Sequence, residues 1–196
     1  FDHVGGNAEL KQEYNCKIVG SKLDEKRIPE IDISLREGEL WNFKENQAQV
    51  IEIPGHTTGH IAFYFMDEKI VFTGDTLFAL GCGRLFEGTP EMMWNSLKKL
   101  KNLPDDTKVY CGHEYTLNNA KFLQSVSSND LINKKIEELK KLELDKTPSI
   151  PSTIKEEKEL NLFFQSDNSD LKIQLNMKDK TDEETFAYLR NLKDNF

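Results

Sequence analysis

All four histidines of this chain lie in glycine-containing turns at the ends of short apolar runs, with carboxylates beside them. Asp2-His3 leads into Val4-Gly5-Gly6-Asn7, and His56 and His60 share Pro54-Gly-His-Thr-Thr-Gly-His60. Asp75 closes Phe72-Thr-Gly-Asp75, and His113 stands in Cys111-Gly-His-Glu-Tyr115. Each turn alone has an ordinary reading as a hydrogen-bonded loop histidine, a helix-entry turn or a tight Gly-Asp corner. The conjunction is the constraint, because several independent turns would each need an accidental ligand at a strand end. Such a chain is expected to bring its strand ends together and hold two hard or borderline metal ions there. Asp2 and His3 are neighbours, so they serve one ion only from a turn; adjacent side chains diverge along a strand.

The runs between these turns read as strands. Residues 16–20, 49–53, 60–66, 69–73 and 108–111 are short, β-rich and closed by Gly, Pro or Asp. The short polar stretch at Asp67-Glu68 predicts a hairpin. Asn7 is a candidate cap for a helix after the first turn. A helix is predicted over 89–102, capped by Thr89, with Pro90 at its first position and Met93, Leu97 and Leu100 on one face. Another follows Tyr115.

From residue 129 the character changes. Leu131, Ile132, Ile136, Leu139 and Leu142 mark an amphipathic helix that Pro148-Ser-Ile-Pro151 interrupts. Thr181-Asp-Glu-Glu184 has a capping-box pattern ahead of Phe186, Leu189 and Leu192. The charge run from Lys134 to Lys146 reads as a solvated helix face. The expected organisation is an α/β catalytic domain over residues 1–114 and a helical domain over 115–196.

Composition narrows the function classes. A net charge of -8 argues against general nucleic-acid binding, which needs a basic face. No apolar stretch approaches the ~20 residues of a membrane span. Cys16, Cys82 and Cys111 are odd in number and lack Cys-x-x-Cys spacing, which fits a reducing cytoplasm better than a disulfide framework. A cytoplasmic monomer is expected. The chain starts at Phe1 with a chemical motif already under way at Asp2, so it is expected to lack its own beginning.

Two divalent ions held by Asp2 and Asp75, with a bridging hydroxide, would keep roughly one net positive charge and lower the pKa of bound water toward ~7. A nucleophile would then exist at neutral pH without a serine or cysteine.

In this order the motifs resemble the metallo-β-lactamase superfamily, an αββα sandwich whose opening signature is His-x-His-x-Asp-His. Phe1-Asp2-His3 matches only the end of that signature, so the sandwich is expected to be incomplete at its N-terminus, with two further histidines just before Phe1. Within the superfamily the chain is similar to glyoxalase II, the hydroxyacylglutathione hydrolases, over nearly its whole length. The matching segments are Phe72-Thr-Gly-Asp75-Thr-Leu-Phe78, Gly81-Cys-Gly-Arg84-Leu-Phe86-Glu-Gly-Thr89, Tyr110-Cys-Gly-His113-Glu-Tyr115-Thr and Leu189-Arg190-x-x-Lys193-Asp-x-Phe196.

The resemblance implies that His56 ligates the first metal and Asp75 bridges both, while Asp2, His3 and His113 complete the second. Asp2 and Asp75 are then the catalytic carboxylates, and His60 supports the ligands without binding metal. Zinc is the first expectation, with iron or manganese as alternatives. Glutathione contacts are implied at Arg84, Phe86, Tyr115, Arg190 and Lys193; Phe86 stands where some relatives carry Tyr, which removes a hydroxyl contact. Arg190 and Lys193, three apart on a helix, are placed to grip one carboxylate.

The implied activity is hydrolysis of S-2-hydroxyacylglutathione, S-D-lactoylglutathione above all, to glutathione and D-lactate, a step of methylglyoxal detoxification. A mononuclear-iron persulfide dioxygenase, a β-lactamase-like hydrolase or a nuclease of the superfamily are the enzymatic alternatives. A non-catalytic metal- or glutathione-binding module is the alternative from another class.

Overall fold

The computed structural model describes residues 3–127 and 129–196. A short helix, α1 (Asn7–Tyr14), follows the first turn, and two parallel strands, β1 (Ile18–Ser21) and β2 (Ile31–Leu35), form a small sheet of their own. Then come β3 (Leu40–Phe43), β4 (Asn46–Glu52), β5 (Ile61–Phe65) and β6 (Ile70–Gly74), an antiparallel run. A tight hairpin, β7 (Leu77–Phe78) with β8 (Gly81–Cys82), separates β6 from α2 (Pro90–Lys101). The chain crosses over through α2 to β9 (Lys108–Cys111), which pairs parallel with β6. Helices α3 (Thr116–Val126) and α4 (Asp130–Leu144) follow, then the short β10 (Ser152–Thr153), α5 (Ile154–Leu160), α6 (Ser169–Gln174) and α7 (Asp182–Asp194). Among the described residues the main sheet has the order β10-β9-β6-β5-β4-β3.

This order positions the site. Strands β4 and β6 are each antiparallel to β5, so they run the same way, and β9 runs parallel to β6. The C-terminal ends of β4, β6 and β9 therefore lie on one side of the sheet, where parallel-strand ends leave room for ligands. His56 follows β4, Asp75 follows β6 and His113 follows β9, while His60 stands just before β5.

The sheet alternates as half-buried strands should. Ile51, Ala62, Tyr64, Val71 and Val109 point to the side covered by α2, whose Met93, Trp94, Leu97 and Leu100 are fully buried. Its opposite face carries Trp41, Phe63, Phe65, Phe72 and Tyr110 in ring contact, and Phe72 is 46% exposed. The apolar core continues past residue 114: Phe122 and Leu123 of α3, Ile136 and Leu139 of α4, and Phe186 and Leu189 of α7 belong to the same cluster as Trp94.

The predicted caps are present. Thr89 accepts from Met92 N–H with Pro90 in the first helical turn, and Thr181 and Glu184 close a capping box, a type of bond worth ~1 kcal/mol. Asn7 does not cap α1; its side chain donates to the Pro29 carbonyl at 3.1 Å, and Gly6 holds the cap position. On α4, Ile132, Ile136 and Leu139 are buried but Leu131 is 52% exposed, because one residue is about 100° of helix rotation and Leu131 falls off the stripe that Ile132 begins. Strands β2, β3, β7, β8 and β10 were not predicted. Trp41 and Phe43 belong to a two-sided edge strand whose pairing with β4 is set by tertiary register rather than by local alternation.

Candidate metal centre and cleft

The three strand ends and the turn before α1 deliver one carboxylate and three imidazoles to a single point. Asp75 Oδ2 lies 2.9 Å from His3 Nε2, 3.4 Å from His113 Nε2 and 3.5 Å from His56 Nε2. Two glycines permit this approach. Gly112 N–H donates to Gly74 O at 2.9 Å, and a Cβ on Gly112 would stand 2.3 Å from Asp75 Oδ1. Gly74 has φ +51°, and a Cβ there would meet His60 Nε2 at 2.3 Å.

The donors are oriented from behind. His56 Nδ1 is 2.9 Å from the Arg84 carbonyl, so Nδ1 carries a proton and Nε2 is the ring atom that faces Asp75. His60 Nε2 accepts from Asp75 N–H at 3.0 Å, which leaves its proton on Nδ1 facing Thr57 Oγ1 at 3.3 Å. His60 thus holds the Asp75 backbone and offers no free lone pair. Burial first, then the nearby His56, pushes its pKa down to about 4, so the ring stays neutral.

A cation fits this set. His56 Nε2 faces a carboxylate oxygen of Asp75 at 3.5 Å, a separation at which both atoms can bind one cation. Asp75 Oδ1 is buried and has no hydrogen-bond partner among the described residues, a vacancy a metal would satisfy. His3, Asp75 and His113 each offer a donor atom, all within 4.8 Å of one another. Ligands ~2.1 Å from one ion sit roughly 3–3.5 Å apart at tetrahedral or octahedral angles, which matches these distances. Asp2, the remaining expected ligand, lies outside the described residues.

A cleft of about 520 Å³ opens from this cluster, lined by His56, Asp75 and His113 at one end and by Arg84, Asn118 and Lys193 among its walls. Every expected substrate contact lines it: Arg84, Phe86, Tyr115, Arg190 and Lys193. Phe86 packs on His56 at 4.8 Å between centroids, and Tyr115 stacks on His113 at 5.0 Å and 12°. Arg190 and Lys193 do not act as one clamp in this arrangement. Arg190 is 4% exposed, and its guanidinium donates to Cys82 O at 2.7 Å and reaches Asp194 at 3.0 Å. Lys193 is half-buried between the rings of Phe122 and Phe196; burial and then Arg190 bring its pKa down to about 8.

The Cys82 thiol in the cleft wall is pushed up to about 11 by burial, and Cys111 is also raised by burial, so neither supplies a thiolate nucleophile near neutral pH. Sequence reasoning did not single out Asn118, Asn119 or Cys82 as cleft residues. Nothing local marks two consecutive asparagines; only the facing of α3 brings them to the wall.

Comparison with known proteins agrees with this geometry. Residues 1–113 match the metallo-beta-lactamase superfamily, and residues 114–196 match the hydroxyacylglutathione hydrolase C-terminus. The hydroxyacylglutathione hydrolase of Pelagibacter ubique is 50% identical over 198 residues, covering 100% of this chain and 77% of that protein. This chain belongs to the hydroxyacylglutathione hydrolase family. A relative of the same name from Methylococcus capsulatus is 43% identical with the same coverage of both chains, 100% and 77%.

Solved structures share the fold. ETHE1 from Myxococcus xanthus superposes with a TM-score of 0.63 over 97% of this chain and 64% of its own, at 24% identity, a likeness of fold alone. TTHA1623, solved in a di-iron-bound form, has a TM-score of 0.50 and 34% identity over 58% of this chain and 65% of its own. As a superfamily member the chain is a hydrolase with a divalent-metal site. None of the described helices is long and apolar enough to cross a membrane.

Proposed function

We propose that this enzyme hydrolyses the thioester of S-2-hydroxyacylglutathione, S-D-lactoylglutathione above all, to glutathione and D-lactate, completing methylglyoxal detoxification. The observation that carries this reading is a His-carboxylate cluster opening into a cation-walled cleft, in a chain 50% identical to a hydroxyacylglutathione hydrolase.

In this reading two ions share Asp75, the first also held by His56 and the second by Asp2, His3 and His113. The convergence of three imidazoles on Asp75 Oδ2, the orphaned Oδ1 and the di-iron form of TTHA1623 support a two-metal site. Zinc is the first candidate for imidazole and carboxylate donors, with iron or manganese next. When bound, such ions supply a Lewis acid for the thioester carbonyl and a water acidic enough to lose its proton near neutral pH.

The protein's own residues supply orientation and exclusion of solvent. Arg84 O fixes the His56 tautomer, and His60 fixes the Asp75 backbone. Phe78, Phe86 and Tyr115 make apolar walls beside the ligands. Lys193 and Arg84 offer cations to the carboxylates of the tripeptide, with Arg190 behind them holding the wall. A thiol of pKa ~8.5 leaves as its thiolate, so no strong general acid is required. The division into a catalytic part, 1–114, and a substrate-binding part, 115–196, belongs to the same reading, as do a cytoplasmic location and a monomeric state.

The test is loss of thioester absorbance from S-D-lactoylglutathione by metal-loaded protein, with and without prior chelation. Turnover that disappears with the metal and returns on reloading is expected. Metal-loaded, folded protein that leaves the thioester intact would refute the reading.

A further inference from the structure

The turn joining β7 to β8 is held by the helices that follow β9, one main-chain group at a time. Ala79 O accepts from Asn119 Nδ2 at 3.0 Å. Leu80 N–H donates to the Glu157 carboxylate at 3.0 and 3.2 Å. Gly81 O accepts from Asn161 Nδ2 at 3.2 Å, and Cys82 O accepts from Arg190 at 2.7 Å. These partners come from α3, from α5 and its C-cap, and from α7. Glu157 and Asn161 are completely buried and bonded to each other at 2.8 Å. Buried polar groups are costly when left unbonded, and each of these four main-chain groups has a partner. The turn also needs holding, since Leu80 has φ +60°, a left-handed conformation that costs a non-glycine residue ~1 kcal/mol or more.

Immediately beyond this turn the chain becomes the scaffold of His56. Gly83 N–H donates to Thr76 O at 3.2 Å, Arg84 O takes the His56 Nδ1 proton at 2.9 Å, and Phe86 N–H donates to His56 O at 3.2 Å. A Cβ on Gly83 would lie 2.0 Å from Asp75 O and 3.1 Å from His56 Nδ1, so the segment has no slack. A shift of the turn must therefore pass to the Arg84 carbonyl.

We infer that Glu157 is a positioning residue for the metal centre: with Asn119, Asn161 and Arg190 it locks the 79–82 turn, and through Arg84 O it sets the tautomer and direction of His56. The C-terminal helices then do more than wall the substrate cleft; they tune a ligand through the main chain of residues 79–84. The metal-affinity part of this inference rests on the two-metal reading above, whereas the His56 part does not.

The test uses the chain labelled with ¹⁵N-histidine, whose four histidines give a simple spectrum, with the His56 signal assigned by its loss in His56→Gln. In chelator-treated protein the His56 Nδ1–H tautomer is read directly, and Co(II) titration gives the metal dissociation constant. Glu157→Leu, which leaves Leu80 N–H without an acceptor, is expected to mix the His56 tautomers and weaken Co(II) binding about tenfold or more. Glu157→Gln keeps an acceptor for Leu80 and is expected to retain the wild-type tautomer and affinity. If Glu157→Leu lowers only the unfolding temperature, leaving His56 and Co(II) affinity unchanged in the folded protein, the inference is overturned. Should that variant not fold, Asn119→Ala releases the other side of the same turn, and an unchanged His56 signal there overturns it equally. If wild-type protein binds no Co(II), the metal reading falls and the His56 signal alone decides.

Discussion

Glu157 also makes a prediction about stability. Its carboxyl has no solvent exposure, and burial raises its pKa from 4.5 to about 7, with Glu156 adding a smaller push the same way. The unfolded chain releases this proton near its ordinary pKa, whereas the folded protein retains it until about 7. Between these values the native state binds more protons, so stability falls as pH rises through the window and levels off above it. At 1.36 kcal/mol per pKa unit the full effect is about 3 kcal/mol, most of it between roughly pH 5 and 8. Glu157→Gln is neutral throughout and removes the slope.

The assay is urea unfolding of metal-free wild type and Glu157→Gln at several pH values, metal-free because a bound ion would shift the equilibrium itself. The variant should gain on wild type by about 2–3 kcal/mol across that window. Wild type alone would mislead: His60, held down at about 4, makes stability rise with pH over an overlapping range, and subtracting the two curves cancels it. A flat difference curve would refute the claim that Glu157 is a buried, proton-retaining acid.

Asp75→Asn should leave the far-UV circular dichroism intact while metal content by elemental analysis and thioester turnover both collapse, because a neutral amide bridges two cations poorly; retained metal and turnover would remove Asp75 from the ligand set. Lys193→Ala should raise KM for the glutathione thioester by roughly 10- to 100-fold, the worth of a charge-assisted hydrogen bond, with little change in kcat and none for a small glutathione-free thioester. Equal losses on both substrates would make Lys193 structural. Gly112→Ala, whose Cβ would stand 2.3 Å from Asp75 Oδ1, should lower metal occupancy without unfolding the sheet; normal occupancy would show that the β9 turn yields freely.

Much of the site was legible because ligands of strand-end metal centres leave local marks. His56, Asp75 and His113 each follow a β-rich run and stand in a Gly-containing turn, and parallel strand ends must share one side of a sheet. Capped helices were equally readable: Thr89 with Pro90, and Thr181 with Glu184, satisfy backbone donors within a single turn. Tertiary structure alone decided the rest. It buried Arg190 against Cys82 O and Asp194 while leaving Lys193 facing the cleft, a separation that three-residue spacing does not reveal. It gathered Asn119, Glu157, Asn161 and Arg190, spread over 72 positions, around one four-residue segment, the turn at 79–80 and the strand β8. Periodicity and caps are set by neighbours along the chain, but the partner of a buried polar group is set by which helices the core packs together, and no local pattern encodes that choice.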